Sequence, residues 1–438
     1  MIGAPNVERF PEVTQLVRAI DQNNNALLSL VDSQIKVFEN GQRIESHRVT
    51  PGERTPAYVV FVIDQGQYFN PGSRRDDIQQ AMRQWVEEGH FREDFDTVAI
   101  LSREVVSGDD QTVELLPPTQ SPTAFLNEVN QLTLNNSSER TDGLAGVEDG
   151  LALLQQLVRE DGTASTAVVY IGSIIENDAG QDRAESEALA VASNARTQNT
   201  NIHVLDSDAG HRFSEPMKNL SNNSGGIYIP ISSGNSNARS IYQSIIDQAQ
   251  THIVSYNSNY DAQIDNPGAR NIAIAPLNVP VDAVESVSAY TISPQPPSVR
   301  INAPQADEVI SRNPTSASAD SYEVTTTDIE AEIDWSGNIA PREIVEAELV
   351  INGETVSPED TPEVINNRLK LSWDLSGIVD ERNTYRLQVR VRDALGFEAT
   401  STAVQVTVNA QLPLPPTAIP PTPTPPPLPP QNDAPDTT

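Results

Sequence analysis

Apolar segments of strand length alternate with amphipathic helical patterns through residues 56–256. Runs rich in Val, Ile and Ala predict buried strands at residues 57–63, 97–102, 166–171, 201–206 and 226–229, with an edge strand at 112–116. Between them, apolar residues recur at helical spacing in three stripes: Ile78, Met82, Trp85 and Val86; Leu144, Val147, Leu151, Leu154 and Val158; and Ile241, Ile245, Ala249 and Ile253. Strands separated by helices predict right-handed crossovers and a mostly parallel, Rossmann-like sheet covered on both faces.

The segments on either side of this α/β region have the two-residue period of strands. Residues 8–50 contain alternating stretches, and Asn40-Gly41 between two of them is a strong hairpin signal. Residues 257–295 return to β character. We therefore expect 8–50 and 257–295 to pair into one β-sandwich, with residues 56–256 inserted between them.

The last third of the chain predicts a separate β domain and then an extended segment. In residues 296–410, strand-like stretches are separated by turn signals, which predicts a small sandwich with Trp335 and Trp373 as core anchors. Residues 411–438 hold 12 of the 33 prolines, a composition typical of a stiff polyproline spacer. We interpret this spacer as a stalk towards an anchor outside the chain; a docking ligand for an aromatic-lined domain is the alternative.

Composition narrows the possible functions. The formal net charge of −33 disfavours nucleic acid and anionic membrane surfaces as partners, because both require clustered Lys and Arg. The absence of cysteine excludes disulfides, zinc–thiolate sites and cysteine nucleophiles. No apolar run reaches membrane-spanning length, and the first residues lack the pattern of a signal peptide, so export would imply a trimmed or mature chain.

The most informative stretch is Asp64-Gln65-Gly66-Gln67-Tyr68, which directly follows the apolar run at 57–63. An acidic residue at the carboxyl end of a buried parallel strand lies where open α/β sheets place ligands. The stretch resembles the metal site of the von Willebrand factor A family, whose pattern there is Asp-x-Ser-x-Ser. The resemblance covers about residues 56–256 and includes Thr141-Asp142-Gly143 and the ending YQSIIDQAQTHIVSY.

The resemblance implies a site at the top of the sheet in which five side chains hold Mg²⁺ or Mn²⁺ and a partner protein completes the shell. Asp64 and Thr141 match that pattern, whereas Gly66 and Tyr68 replace its two serines and Ser173 replaces its last aspartate. With two of five ligands left, we expect no conventional Mg²⁺ or Mn²⁺ site and no other cofactor. A degenerate metal site at Asp64, Thr141 and Ser173 is the alternative.

The flanking regions extend the resemblance. The stretch SQIKVFENGQRI is similar to the β segment that precedes such a domain in bacterial surface proteins. The ending VRVRDALGFEATSTAVQVTV of residues 296–410 is similar to the last two strands of immunoglobulin-like or fibronectin-like domains.

Other chemistry finds little support. No Walker phosphate loop, His-Glu-x-x-His or Gly-x-Ser-x-Gly motif occurs, and no catalytic constellation is evident, so we expect no enzyme. His203, Asp206, Asp208 and His211 fall within one stretch, which leaves a transition-metal site in the 203–211 loop as an alternative.

The sequence therefore predicts a non-enzymatic, extracytoplasmic binding or assembly protein, attached to a membrane or envelope through its C-terminal stalk. Its working surface would comprise residues 64–70, 141–143, 173–178 and 206–211 at the top of the sheet. Tyr68, Phe69 and Asp142 are the expected protein contacts, since exposed aromatic side chains often anchor interfaces. Packing of Tyr68 and Phe69 beneath the loop is the alternative. A subunit of a surface layer or filament is the second hypothesis.

Overall fold

The computed structural model describes residues 1–67, 69, 74–134, 139–161, 163–172, 181–207, 214–231, 236–262, 264–265, 267–278, 287–315, 322–335, 341–359, 363–378 and 382–411. The chain divides into two compact units. The first comprises Met1–Asn259 and Pro267–Ile292, and the second comprises Tyr260–Asn266 and Ser293–Thr438. Among the described residues, no helix is both long enough and apolar enough to cross a bilayer.

The first unit contains fourteen described strands, six described α-helices and a short described 3-10 helix at Asp32–Gln34. The strands are β1 (Ile2–Asn6), β2 (Glu12–Val17), β3 (Ile35–Glu39), β4 (Gln42–Ile44), β5 (His47–Pro51), β6 (Ala57–Asp64), β7 (Thr97–Val106), β8 (Asp109–Thr119), β9 (Ser165–Gly172), β10 (Thr200–Asp206), β11 (Tyr228–Pro230), β12 (His252–Asn257), β13 (Gly268–Pro276) and β14 (Val287–Ile292). The helices are α1 (Arg75–Glu87), α2 (Pro122–Gln131), α3 (Gly143–Asp161), α4 (Gln181–Thr197), α5 (Ser214–Ser224) and α6 (Arg239–Ala249).

The α/β body of the first unit is built on a six-stranded sheet in the order β11-β10-β9-β6-β7-β8. All neighbouring strands are parallel except β7 and β8, which form an antiparallel pair at one edge. Side chains along β6 alternate between two buried layers. Phe61 packs with residues of α1, α2 and α6, and Val62 packs with residues of α3, α4 and α5. This arrangement confirms the predicted mostly parallel sheet with helices on both faces.

Two further four-stranded sheets flank the α/β body, in the orders β1-β2-β12-β5 and β14-β13-β3-β4. Asn40 and Gly41 connect β3 to β4 with positive φ angles of 48° and 78°, as the Asn-Gly hairpin signal predicted. The prediction that Ile253 continues the stripe of α6 is wrong. The helix ends at Ala249, and Ile253 lies on β12, paired with Leu16, because ladder bonds from two neighbouring strands replace helical ones there.

A buried carboxylate joins these two flanking sheets. Glu39 ends β3, is 0% exposed and forms an ion pair with Arg270 of β13 at 2.9 Å. The hydroxyls of Tyr256 (3.2 Å), Ser258 (2.9 Å) and Tyr290 also donate to its oxygens. Burial alone raises the pKa of Glu39, but hydrogen bonds from Arg270, Tyr290 and Ser258 outweigh burial and leave it below its usual value.

Replacing Glu39 tests how much this carboxylate holds the flanking sheets together. Glu39→Gln leaves the guanidinium of Arg270 buried without its counter-ion, so we expect the free energy of unfolding to fall by about 3–5 kcal/mol. Urea denaturation measures the change. As a matched control, Glu88→Gln breaks an exposed pair with Arg239 and should cost no more than about 1 kcal/mol. Equal losses of unfolding free energy in both variants would show that Glu39 stabilises the fold no more than an exposed ion pair does.

The described residues of the second unit form ten strands. They are β15 (Ser298–Ala303), β16 (Val309–Arg312), β17 (Thr326–Asp334), β18 (Ile344–Ile351), β19 (Glu354–Glu359), β20 (Val364–Ile365), β21 (Arg368–Asp374), β22 (Asn383–Asp393), β23 (Glu398–Thr400) and β24 (Val404–Ala410). One sheet has the order β15-β17-β21-β20, and the other the order β16-β24-β22-β18-β19, with β23 paired to β22. Trp373 is a core residue at 2% exposure, whereas Trp335 is half-buried against the core.

Candidate functional site

The carboxylate of Asp64 ends β6 at the carboxyl edge of the parallel sheet and is 4% exposed. Its Oδ1 accepts a hydrogen bond from the Thr141 hydroxyl at 2.5 Å and one from the Gly66 backbone amide at 3.3 Å. Its Oδ2 accepts a hydrogen bond from the Tyr170 hydroxyl at 2.7 Å. Both carboxylate oxygens are therefore engaged by donors of the chain itself.

Tyr170 reaches Asp64 because β9 runs beside β6, with Tyr170 opposite Val62. Two glycines leave the space that its ring requires. A Cβ at Gly143 would lie 2.5 Å from the Tyr170 hydroxyl and 2.6 Å from Oδ2 of Asp64. A Cβ at Gly172 would lie 2.5 Å from the same hydroxyl. The two glycines thus let a phenol fill the space next to the Asp64 carboxylate.

The donors to Asp64 among the described residues are neutral groups, and this affects the pKa of the carboxylate. Burial raises the pKa of Asp64 to about 6, even though the hydrogen bonds from Thr141, Tyr170 and Gly66 lower it. Burial together with the nearby Asp64 carboxylate raises the pKa of Tyr170 well above its usual value. The phenol therefore stays protonated at neutral pH and serves as a hydrogen-bond donor.

Thr141 lies two residues before α3, and hydrogen bonds together with one ion pair fix the start of that helix. Asp142 accepts a hydrogen bond from the backbone amide of Ala145 at 3.1 Å and so caps the helix. The backbone amide of Asp142 donates to Asp110 at 2.9 Å, and Asp110 pairs with Arg103 at 2.6 Å. The antiparallel strands β7 and β8 thereby position Thr141 beside Asp64. Motif reasoning missed Arg103 and Asp110, whose only signal is their opposite charge in consecutive strands.

The residues at this site do not fit a hard cation. Such an ion is held by about six or more oxygen atoms from side chains, carbonyls and water, and it needs open space beside those side chains. Here the Tyr170 hydroxyl lies against one oxygen of Asp64, and a side chain at Gly66 would collide with the Thr141 hydroxyl. No group of three or more His, Asp or Glu side chains with metal-binding geometry occurs in the described part of the chain.

The structure brings together only some of the residues that the sequence singled out. Asp64 and Thr141 are in contact, and Asp142 lies beside them as a helix cap. Tyr68 and Ser173 lie outside the described residues. Phe69 is not the exposed contact that was expected: it is 2% exposed and belongs to the same core cluster as Ile78, where burial of its apolar ring is favourable.

The proposed 203–211 metal loop also requires correction. His203 is 0% exposed on β10, and its Nδ1 accepts a hydrogen bond from the backbone amide of Ile227 at 3.1 Å. Burial lowers the pKa of His203 to about 3, so the ring is neutral and internal. Asp206 is buried and accepts a hydrogen bond from Tyr228. Asp208 and His211 lie outside the described residues.

No protein-family model and no curated protein matches the chain. Among solved structures, an aerotolerance-related membrane protein from Bacteroides fragilis is 18% identical over 43% of this chain and 98% of its own, with a TM-score of 0.32. The manganese-loaded TRAP protein of Plasmodium vivax is 12% identical over 57% of this chain and 97% of its own, with a TM-score of 0.36.

A von Willebrand factor type A protein from Catenulispora acidiphila is 10% identical over 93% of this chain and 74% of its own, with a TM-score of 0.30. The strand order and the two helical layers are those of a mostly parallel, Rossmann-like sheet covered on both faces. The α/β body of the first unit has the von Willebrand factor A fold that the resemblance implied.

The raised pKa of Asp64 predicts a specific pH dependence. The folded pKa of about 6 exceeds the unfolded value of 3.8, so the stabilisation is full below pH 3.8 and is lost as the pH rises through 6. Asp64→Asn removes this loss. From acidic to neutral pH, we expect the free energy of unfolding of Asp64→Asn, relative to that of wild type, to rise by about 2–3 kcal/mol.

Urea denaturation across that pH range measures the difference. Thr141→Ser keeps the hydroxyl donor and should follow the wild-type pH curve. Parallel pH curves for wild type and Asp64→Asn would contradict the raised pKa.

Proposed function

We propose that this protein is a non-enzymatic, extracytoplasmic binding or assembly module that works without a metal ion. Its contact surface is the upper face of the von Willebrand factor A fold, formed by the loops after β6, β9 and β10 and by the start of α3. The Pro-rich residues 411–438 serve as the stalk through which the chain is held at a cell surface. The partner is another protein, not a nucleic acid.

The observation that supports this proposal is the hydrogen-bonded arrangement at Asp64. In a metal-bridged adhesion site, the cation is the link between the aspartate and the partner's carboxylate. Here the protonated phenol of Tyr170 and the hydroxyl of Thr141 satisfy the two carboxylate oxygens. A partner therefore meets no metal ion whose coordination shell it could complete. It must contact the side chains and backbone of the loops directly.

The net charge of −33 indicates the character of such a partner. The charge is spread over the chain, and half-buried Asp142, directly before α3, belongs to the proposed surface. A protein with a basic contact surface would be attracted and steered towards it, and this attraction would weaken with salt.

Metal independence is testable by thermal unfolding with added Mn²⁺ and Mg²⁺. A ligand that binds only the native state raises the midpoint temperature in proportion to its occupancy. Acidic surface residues attract cations in any variant, so Asp64→Asn is the matched control. We expect wild type and Asp64→Asn to shift equally with each ion. A saturable rise in wild type that Asp64→Asn lacks would establish metal binding at this aspartate.

Sedimentation velocity separates a binding module from a subunit that assembles with itself. The proposal predicts a sedimentation coefficient that stays constant as the protein concentration rises, because the strong net charge opposes self-association. Association that increases with concentration at physiological salt would instead support a subunit of a surface layer or filament.

A further inference from the structure

A cleft of about 560 Å³ lies at the opposite edge of the central sheet from Asp64. It lies at the amino-terminal ends of β9 and β10, where Thr166 and Thr200 form part of its wall. Its volume falls within the range of small-molecule sites, roughly 300–1,000 Å³. Nothing in the metal-site resemblance concerns this edge of the sheet.

Arg18 lies in the wall of this cleft as a cation that has no carboxylate partner among the described residues. Its Nη2 donates to the hydroxyl of Thr55 at 2.8 Å and to the carbonyl of Thr163 at 2.9 Å. Its Nε is buried and has no hydrogen-bond partner. Within the described part of the chain, no carboxylate forms an ion pair with Arg18, although carboxylates are more than twice as numerous as basic residues.

The electrostatic state of Arg18 agrees with this geometry. Burial lowers the pKa of Arg18 to about 10, and no acidic neighbour opposes that effect. A guanidinium with this pKa remains charged at neutral pH. A half-buried charge without a counter-ion is costly, and a bound anion would remove most of that cost.

A second cation and an apolar wall complete the site. Arg159, in the last turn of α3, lines the same cleft and also lacks a carboxylate partner among the described residues. Leu154, Val158 and Ala164 contribute apolar surface beside the two arginines. The combination suits a ligand with an anionic head and a short apolar body, because arginine binds carboxylate or phosphate oxygens through paired N–H donors.

We propose that this cleft binds the anionic oxygen group of a small, partly apolar molecule, with Arg18 and Arg159 holding the oxygens and Leu154 and Val158 packing against the apolar part. The net charge of the chain repels anions in general. Saturable binding of an anion must therefore arise from a local arrangement of cations. The site is independent of the proposed surface at Asp64.

Isothermal titration calorimetry of the full chain at physiological salt tests the proposal. Hexanoate and hexyl phosphate are the anionic probes, and hexanol is the uncharged probe of the same length. We expect at least one anion to bind at a single site about tenfold more tightly than hexanol. Preference between the two anions distinguishes a carboxylate ligand from a phosphate ligand.

Three variants locate the binding. Arg159→Gln alters an exposed side chain and should weaken anion binding about tenfold while leaving hexanol unaffected. Arg18→Lys keeps the charge but replaces the planar guanidinium with a single ammonium group, and it should weaken anion binding as well. Arg239→Gln, which breaks an exposed pair with Glu88, should bind as wild type does. The proposal is overturned if neither anion binds more tightly than hexanol, or if Arg159→Gln and Arg18→Lys both bind the anions like wild type.

Discussion

A carboxylate removed from water must be satisfied by donors, and the architecture around Asp64 follows from this requirement. Asp64 is buried at the carboxyl end of the central sheet, and three segments supply donors to it: the loop after β6, the residues just before α3 and strand β9. Gly143 and Gly172 lack side chains where the phenol of Tyr170 needs room.

The first unit uses buried carboxylates in the same way at other points, but the charge of the donor differs. Asp96 is 0% exposed and receives the guanidinium of Arg54 at 2.6 Å and the backbone amide of Ala57 at 2.9 Å. Glu39 receives Arg270 and its pKa is lowered, whereas Asp64 receives only neutral donors and its pKa is raised. A cationic donor stabilises the charged form of a carboxylate. Neutral donors leave Asp64 able to change its protonation state near neutral pH.

The sequence predicted the layers of the fold better than it predicted the contacts of the site. The uninterrupted apolar run at 57–63 could only be a buried parallel strand, and β6 spans Ala57–Asp64. Ile253 was misassigned because a helical stripe of four positions also fits a strand that begins after a break at Gln250. The local pattern of apolar residues cannot show which strands such a segment will pair with.

Contacts at the site depend on residues far apart in the chain. Tyr170 lies 106 positions from Asp64, inside a run that reads simply as a buried strand, so no local pattern reveals their hydrogen bond. The pairing of Thr141 with Asp64 came from family resemblance, which records such distant contacts. Phe69 was placed on the surface because an aromatic in a loop after a strand has no periodicity to show which way it points.

The most direct test of the central claim is a crystal structure of the full chain grown with Mn²⁺, with anomalous diffraction recorded to locate the metal. The account predicts no anomalous peak beside Asp64 and a Tyr170 hydroxyl in hydrogen-bond contact with its carboxylate. A manganese peak beside Asp64, with the phenol displaced, would contradict it.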